Sequence, residues 1–133
     1  MPETGVDLYV GIGGSPEGVI AAAAIKCLGG DMQMKMWPRD DKERAQLIKD
    51  GYEAELRKVY YADDLAVGKN IIFCATGISD STLLPGVKVM DHRAITHSIL
   101  MRAKYRTVRY ITAHNDLTTK TIRLRSDRKE HPL

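Results

Sequence analysis

A glycine-rich turn followed at once by a helix start is the feature that most constrains the fold of this 133-residue chain. The short apolar run Val6–Val10 precedes the glycine cluster Gly11–Gly14, and Ser15, Pro16 and Glu17 follow it. Serine is favoured at a helix N-cap, proline at the first helical position and glutamate near the positive end of the helix dipole. We therefore predict a strand, a tight turn and a helix capped by Ser15.

The rest of this helix and the segment after it are equally regular. Val19–Leu28 is alanine-rich and apolar on nearly every side, which predicts a buried helix that ends at the pair Gly29 and Gly30. Methionines at alternate positions over 32–36 then predict a strand, and Pro38 ends it.

Further helix and strand signals complete an α/β pattern. We predict a charged helix over Asp40–Asp50 and a short helix over 63–68. We also predict a strand buried on both faces over 70–75, and an antiparallel strand pair formed by Ile95–Met101 and Thr107–Thr112. Strand–turn–helix units that give way to β segments indicate a layered α/β fold with a mixed sheet. The length suits one domain over residues 1–133, and we expect residues 115–133 to form a polar, basic and partly disordered tail.

Composition limits the compartment and the partners. No run approaches the roughly 20 apolar residues that cross a bilayer, and the first residues lack the features of a secretory signal. Cys27 and Cys74 lie in apolar runs and suit two buried thiols in a reducing cytoplasm. Residues 101–133 contain nine Lys and Arg residues but only three Asp and Glu residues, so this segment is a candidate for binding nucleic acid. A solvated strand face with a frayed tail is the favoured explanation, and no nucleic-acid-binding motif accompanies these residues.

The glycine turn itself is a candidate anion-binding site, because free amide groups at a helix N-terminus favour phosphate. The spacing matches neither a dinucleotide fingerprint, which needs glycine where Pro16 stands, nor a Walker A motif, which needs lysine where Val19 stands. Glu17 would repel a phosphate. It either stabilises the helix dipole or holds a divalent metal ion that bridges carboxylate and phosphate.

Two further segments are weaker candidates. The loop Thr76–Asp80 follows a predicted strand, where ligands bind in open α/β sheets, although Asp80 could instead cap a following helix. His97 lies within a predicted strand without a triad partner at any recognised spacing, and the other histidines do not form a zinc pattern. We identify no catalytic nucleophile or general base.

Three motifs in order resemble the class II fructose-1,6-bisphosphatases, including the type that also accepts sedoheptulose 1,7-bisphosphate. They are GIGGSPEGVIAAAAIKCLGGDMQ, FCATGISD and ITHSILMRAKYRTVRYITAH, and together they span Asp7 to about His114. The resemblance implies the inositol monophosphatase-like sugar-phosphatase fold and Mg²⁺- or Mn²⁺-dependent removal of the 1-phosphate from fructose 1,6-bisphosphate. Glu17 matches the family's metal ligand, and Gly14 matches a glycine whose backbone contacts the substrate.

The resemblance covers only the C-terminal portion of the family. It implies that an N-terminal domain with most metal ligands lies outside this chain, that the chain is inactive by itself, and that the whole enzyme is a cytoplasmic homo-oligomer of gluconeogenesis and glycerol metabolism. No membrane or nucleic-acid partner is implied. The alternative is a non-catalytic module that binds a sugar phosphate or serves assembly.

Overall fold

The computed structural model describes residues 5 and 7–119, and these divide into two compact units. The first unit comprises the residues up to Ile72 together with Arg102–Thr107, and the second comprises Phe73–Met101 together with the residues from Val108 onward. Whether the chain is a single domain stays a prediction. None of the helices in the described residues is both long enough and apolar enough to span a lipid bilayer.

The first unit contains four helices and a two-stranded sheet within the described residues. In chain order they are α1 Ser15–Leu28, β1 Gln33–Lys35, α2 Asp41–Lys49, α3 Glu53–Arg57, β2 Val59–Tyr61 and α4 Ala62–Leu65. β1 and β2 pair antiparallel with Met34 opposite Tyr60. The predicted helices over 40–50 and 63–68 are confirmed within a few residues, and the strand before Pro38 is shorter than predicted.

Helix α1 has the predicted limits but not the predicted burial. Its N-cap is Gly14 rather than Ser15, and it ends where Gly29 adopts the left-handed conformation with φ of 74°. Ala22 and Cys27 are fully buried, whereas Val19 and Ile20 are exposed. The expectation of a helix buried on nearly every side is therefore wrong for the described residues, because no other described element covers that face.

Lys26 fixes the last turn of α1 to α4 and the chain after it. Its ammonium donates hydrogen bonds to the carbonyl oxygens of Ala66 at 2.7 Å and Gly68 at 3.0 Å, and it pairs with Asp63 at 2.5 Å. The side chain of Lys26 is only 15% exposed, whereas that of Asp63 is 88% exposed. The carbonyl contacts therefore contribute more than the ion pair, which water screens.

The second unit is built on a four-stranded sheet. Its strands are β3 Ile72–Thr76, β4 Lys88–Met90, β5 Arg93–Arg102 and β6 Thr107–Asp116, and β5 pairs with each of the other three. Ile99 and Met101 of β5 are buried, together with Ala94 and Leu84. The predicted antiparallel pair is thus confirmed as β5 and β6, joined through a 3₁₀ turn over Ala103–Tyr105.

The described sheets are antiparallel, so the predicted mixed sheet is wrong. β4 and β5 pair antiparallel. Gly77 donates to His97 and Ala103 donates to Ile71, an order that makes β3 and β5 antiparallel as well. Connection length is the physical reason for the β4–β5 and β5–β6 pairs, since short turns join antiparallel neighbours whereas parallel strands need long crossovers.

Four other expectations differ from the structure. Residues 7–10 form no strand, and β3 alternates between exposed and half-buried residues rather than being buried on both faces. Cys27 is buried as predicted, but Cys74 is exposed. Asn115 and Asp116 end β6 instead of starting a tail. Residues 120–133 of the predicted tail lie outside the described residues.

Candidate functional site

The N-terminus of α1 brings the two predicted site residues together. Gly14 has extended backbone angles, and its carbonyl oxygen accepts the first helical hydrogen bond from the amide of Gly18 at 3.0 Å. The carboxylate of Glu17 folds back over Gly14, so that a Cβ added to Gly14 would overlap Oε2 of Glu17. The predicted substrate-binding residue Gly14 and the predicted metal ligand Glu17 therefore lie on one small surface.

Local packing holds this helix start in place. Gly18 is buried, and a Cβ at that position would overlap the sulfur of Met34 on β1. The missing side chain at position 18 leaves room for the side chain of Met34 against the first turn of α1. Sequence reasoning did not assign this role to Gly18 or Met34. The available signal was a glycine immediately after Glu17 inside a segment that otherwise favours helix.

The free backbone groups at this end of α1 can attract an anion. The structure gives the N-cap no side-chain hydrogen bond, so the first amides of the helix are open to a ligand. The amides of Ser15 and Glu17 lie at the positive end of a 14-residue helix. A phosphate can bind these amides only if the charge of the adjacent Glu17 carboxylate is offset.

A divalent cation would offset that charge, and the donor chemistry of Glu17 suits Mg²⁺ or Mn²⁺ because both prefer oxygen ligands. Glu17 is exposed and forms no ion pair within residues 5 and 7–119. In that same part of the chain, no three His, Cys, Asp or Glu side chains lie together. Glu17 thus suits one ligand of such a cation, and the described residues do not by themselves form a complete metal site.

The loop after β3 is folded back on itself. The amide of Gly86 donates to Oδ1 of Asp80 at 2.8 Å, and the amide of Val87 donates to the carbonyl oxygen of Ile78 at 3.1 Å. The alternative that Asp80 caps a following helix is wrong, since no helix follows it in the described residues. Asp80 instead holds the two arms of the loop together. Ligand binding by Thr76–Asp80 stays a prediction.

His97 contacts a hydroxyl group, not an acid. Its Nδ1 lies 3.2 Å from Oγ1 of Thr112 on β6. Ser98 is the next residue of β5, and its Oγ lies 2.8 Å from Oγ1 of Thr76. His97 and Ser98 are consecutive and point to opposite faces of the strand, so they cannot form a nucleophile–base pair.

Comparison with known proteins places these residues in a wider context. The chain matches the family described as bacterial fructose-1,6-bisphosphatase, glpX-encoded, over residues 1–115. A fructose-1,6-bisphosphatase class 2 of Haemophilus influenzae is 40% identical over 122 residues, which cover 84% of this chain and 37% of that protein. The fructose-1,6-bisphosphatase 1 class 2 of Escherichia coli (strain K12) is 38% identical over 133 residues, 90% of this chain and 39% of that protein. The chain thus spans less than two fifths of the length of these relatives.

Proposed function

The chain belongs to the family of glpX-encoded bacterial fructose-1,6-bisphosphatases, and we propose that it forms part of an enzyme that hydrolyses the 1-phosphate of fructose 1,6-bisphosphate. The observation that carries this proposal is the position of the Glu17 carboxylate over Gly14 at the start of α1. A carboxylate beside unpaired helix amides suits a site that binds a metal ion and a phosphate together.

Each residue has a distinct part in the proposal. Glu17 supplies one oxygen ligand to Mg²⁺ or Mn²⁺, and the amides around Gly14 and Ser15 orient the phosphate. When bound, such a metal polarises the phosphoryl group and lowers the pKa of a water molecule for attack. The Met34 side chain packs where a side chain at position 18 would lie, close to Glu17 in the first turn of α1.

We propose that the polypeptide corresponding to the rest of the relatives' length completes the site. The chain spans 37% and 39% of two relatives, and one carboxylate does not assemble a metal site. The apolar side chains of Leu8, Tyr9 and Val10 before α1 are 79%, 85% and 83% exposed, so a large apolar surface is available for such a contact. The chain by itself then has negligible phosphatase activity. Cytoplasmic location, homo-oligomeric assembly and a place in gluconeogenesis and glycerol metabolism belong to the same family-based proposal.

A chimera tests the proposal. The segment of the Escherichia coli relative that aligns with this chain is replaced by the chain itself, and phosphate release from fructose 1,6-bisphosphate is measured with and without Mn²⁺ or Mg²⁺. We expect metal-dependent turnover by the chimera and none by the isolated chain. A folded chimera without turnover, or a fully active isolated chain, contradicts the proposal.

A non-catalytic module is the second candidate, favoured by the single carboxylate at the α1 N-terminus of the described residues. A module that senses sugar phosphate binds fructose 1,6-bisphosphate by itself, whereas a pure assembly module does not. Isothermal titration calorimetry of the isolated chain with this ligand, with and without Mn²⁺, separates the two. Saturable binding together with an inactive chimera would favour the sensor over the enzyme.

A further inference from the structure

The outer edge of β6 has no partner strand in the part of the chain that the structure describes. β6 pairs with β5 along its inner edge, and β3 and β4 pair with β5 as well. Tyr110 and Ile111 are adjacent residues of β6, so they lie on its two faces, and they are 62% and 43% exposed. An edge of ten residues with open backbone groups is a template for a further strand.

The hydrogen bonds to β5 determine which amides of β6 face the open edge. The amide of Leu117 donates to the carbonyl oxygen of His92 at 2.7 Å, at the end of the β5–β6 pair. Successive residues of a strand direct their backbone groups to opposite neighbours, so every second residue before Leu117 faces β5. The amides that face the open edge are therefore those of Tyr110, Thr112 and His114.

A tight turn at the end of β6 reverses the chain. Oδ1 of Asp116 accepts hydrogen bonds from the amide of Thr118 at 2.9 Å and from its hydroxyl at 2.6 Å. The hydroxyl of Thr119 donates to the carbonyl oxygen of Asp116 at 3.1 Å, so Thr119 lies back beside the last residue of β6. Because β5 already occupies the inner edge, a strand that continues from this turn can pair only with the open edge.

The sequence after the turn has the pattern of such a strand. Residues 121–125 read Thr, Ile, Arg, Leu and Arg, so the apolar Ile122 and Leu124 alternate with polar residues. This period of two is typical of a strand with one apolar face. Arg123 and Arg125 suit an outermost position, since charged side chains protect a sheet edge from further pairing.

We propose that residues 121–125 pair antiparallel with the open edge of β6 and add a fifth strand to the sheet of the second unit. Their carbonyl oxygens accept the outward amides of β6. The pairing closes an edge that otherwise accepts a strand from another molecule. Because the family match ends at residue 115, before this segment, the proposal does not depend on phosphatase activity.

The side chains fit the register that the turn sets. With a two-residue turn, Leu124 lies opposite Ile111 and Arg125 lies opposite Tyr110. The leucine then covers the exposed isoleucine on one face of the sheet, and the guanidinium contacts the exposed ring on the other. A slip of one residue would place an arginine against Ile111, so the register is specified.

Amide hydrogen exchange of the full chain, followed by NMR, tests the pairing. Arg123→Pro removes a backbone N–H that faces β6, and it should speed exchange of the outward β6 amides by about tenfold or more. Ser126→Pro is the matched control, because the N–H of Ser126 faces away from β6, and it should exchange like the parent chain. The inward amides should exchange equally in all three chains and so report that each is folded; they are those of Ile111, Ala113 and Asn115.

A second variant tests the apolar contact. Leu124→Asp should also speed exchange of the outward amides, since a carboxylate cannot cover Ile111. Outward amides that are unprotected in the parent chain, or that exchange equally in the parent chain and Arg123→Pro, overturn the proposal. Protection that rises with protein concentration also overturns it, because the edge would then be covered by a second copy of the chain.

Discussion

The carboxylate of Glu17 lies over the backbone of Gly14, in the space that a side chain at position 14 would need. A Cβ on Gly14 therefore displaces the carboxylate and not the backbone, because the overlapping group is the end of a flexible side chain. Hydrogen at position 14 is thus a condition for the observed placement of Glu17.

Gly14→Ala should lower the activity of the chimera much more than its stability. Alanine is a poorer N-cap than glycine, so we expect the free energy of unfolding to fall by no more than about 1 kcal/mol. Metal-dependent turnover of the chimera should fall much further, because Glu17 is moved from its position. Urea denaturation and phosphate release measure the two quantities. Gly13→Ala is the control, since nothing lies within 4 Å of a Cβ there. Equal activity of both variants would contradict this account of Gly14.

The contacts of Lys26 predict unequal effects of two substitutions. Lys26→Met removes two hydrogen bonds to carbonyl oxygens and should lower the free energy of unfolding by about 1–3 kcal/mol. Asp63→Asn removes only the exposed ion pair and should cost less than about 1 kcal/mol. The midpoints of urea denaturation compare the two. A larger loss in Asp63→Asn would show that the ion pair, not the carbonyl contacts, fixes α1.

The loop after β3 should not tolerate a side chain at its first glycine. A Cβ on Gly77 would overlap the carbonyl oxygen of Pro85, which is backbone and cannot move aside cheaply. We expect Gly77→Ala to destabilise the second unit by about 1–3 kcal/mol. Amide hydrogen exchange of Gly86 and Val87 should become faster, since their hydrogen bonds close the loop. Unchanged exchange and stability would show that the loop is looser than described.

Glu43 provides a test by pH. The backbone amide of Arg39 donates to Oε2 of Glu43 at 2.6 Å, and the guanidinium adds bonds of 3.2 and 3.3 Å. The pKa of Glu43 is lowered chiefly by this backbone hydrogen bond and then by the side-chain bond. Because the pKa of Glu43 is lower in the folded state than in the unfolded state, its ionised carboxylate stabilises the fold at pH values above the unfolded-state pKa. This contribution is lost as the pH falls through the folded-state pKa.

Arg39→Gln should therefore raise the pKa of Glu43 only part of the way to its ordinary value, because the backbone donor remains. An NMR pH titration of the Glu43 carboxyl group measures this directly. A complete return to the ordinary glutamate pKa would assign the whole effect to the guanidinium. An unchanged pKa would assign it to the backbone alone.

Local signals in the sequence predict helices α1, α2 and α4 of the described residues within a few residues, whereas they leave α3 unassigned. Proline at position 16 and glycine at position 29 set the limits of α1 within one residue, because they act through neighbouring backbone atoms. Asp40 likewise caps α2 through the amide of Glu43. The contact of Glu17 with Gly14 follows from the same local geometry, since the two residues are three positions apart at a helix start.

Properties that depend on contacts between segments far apart in the sequence were not predictable. Val19 and Ile20 are exposed and residues 7–10 form no strand, although their apolar character favours burial. Burial needs a neighbouring element, and none in the described residues covers them. The expectation of a mixed sheet was also wrong, because apolar periodicity alone does not distinguish parallel from antiparallel pairing.

The most direct test of the account is metal-dependent phosphate release by the chimera with Glu17→Gln. Asp41→Asn is the matched control, since it neutralises an exposed acid in the first turn of another helix. Loss of an outer partner of a metal ligand typically costs about 10–100-fold, so loss of the ligand itself should lower turnover by about 100-fold or more. We expect that loss in Glu17→Gln with stability unchanged, and full turnover in Asp41→Asn. Undiminished turnover in Glu17→Gln would contradict the assignment of Glu17 as a metal ligand.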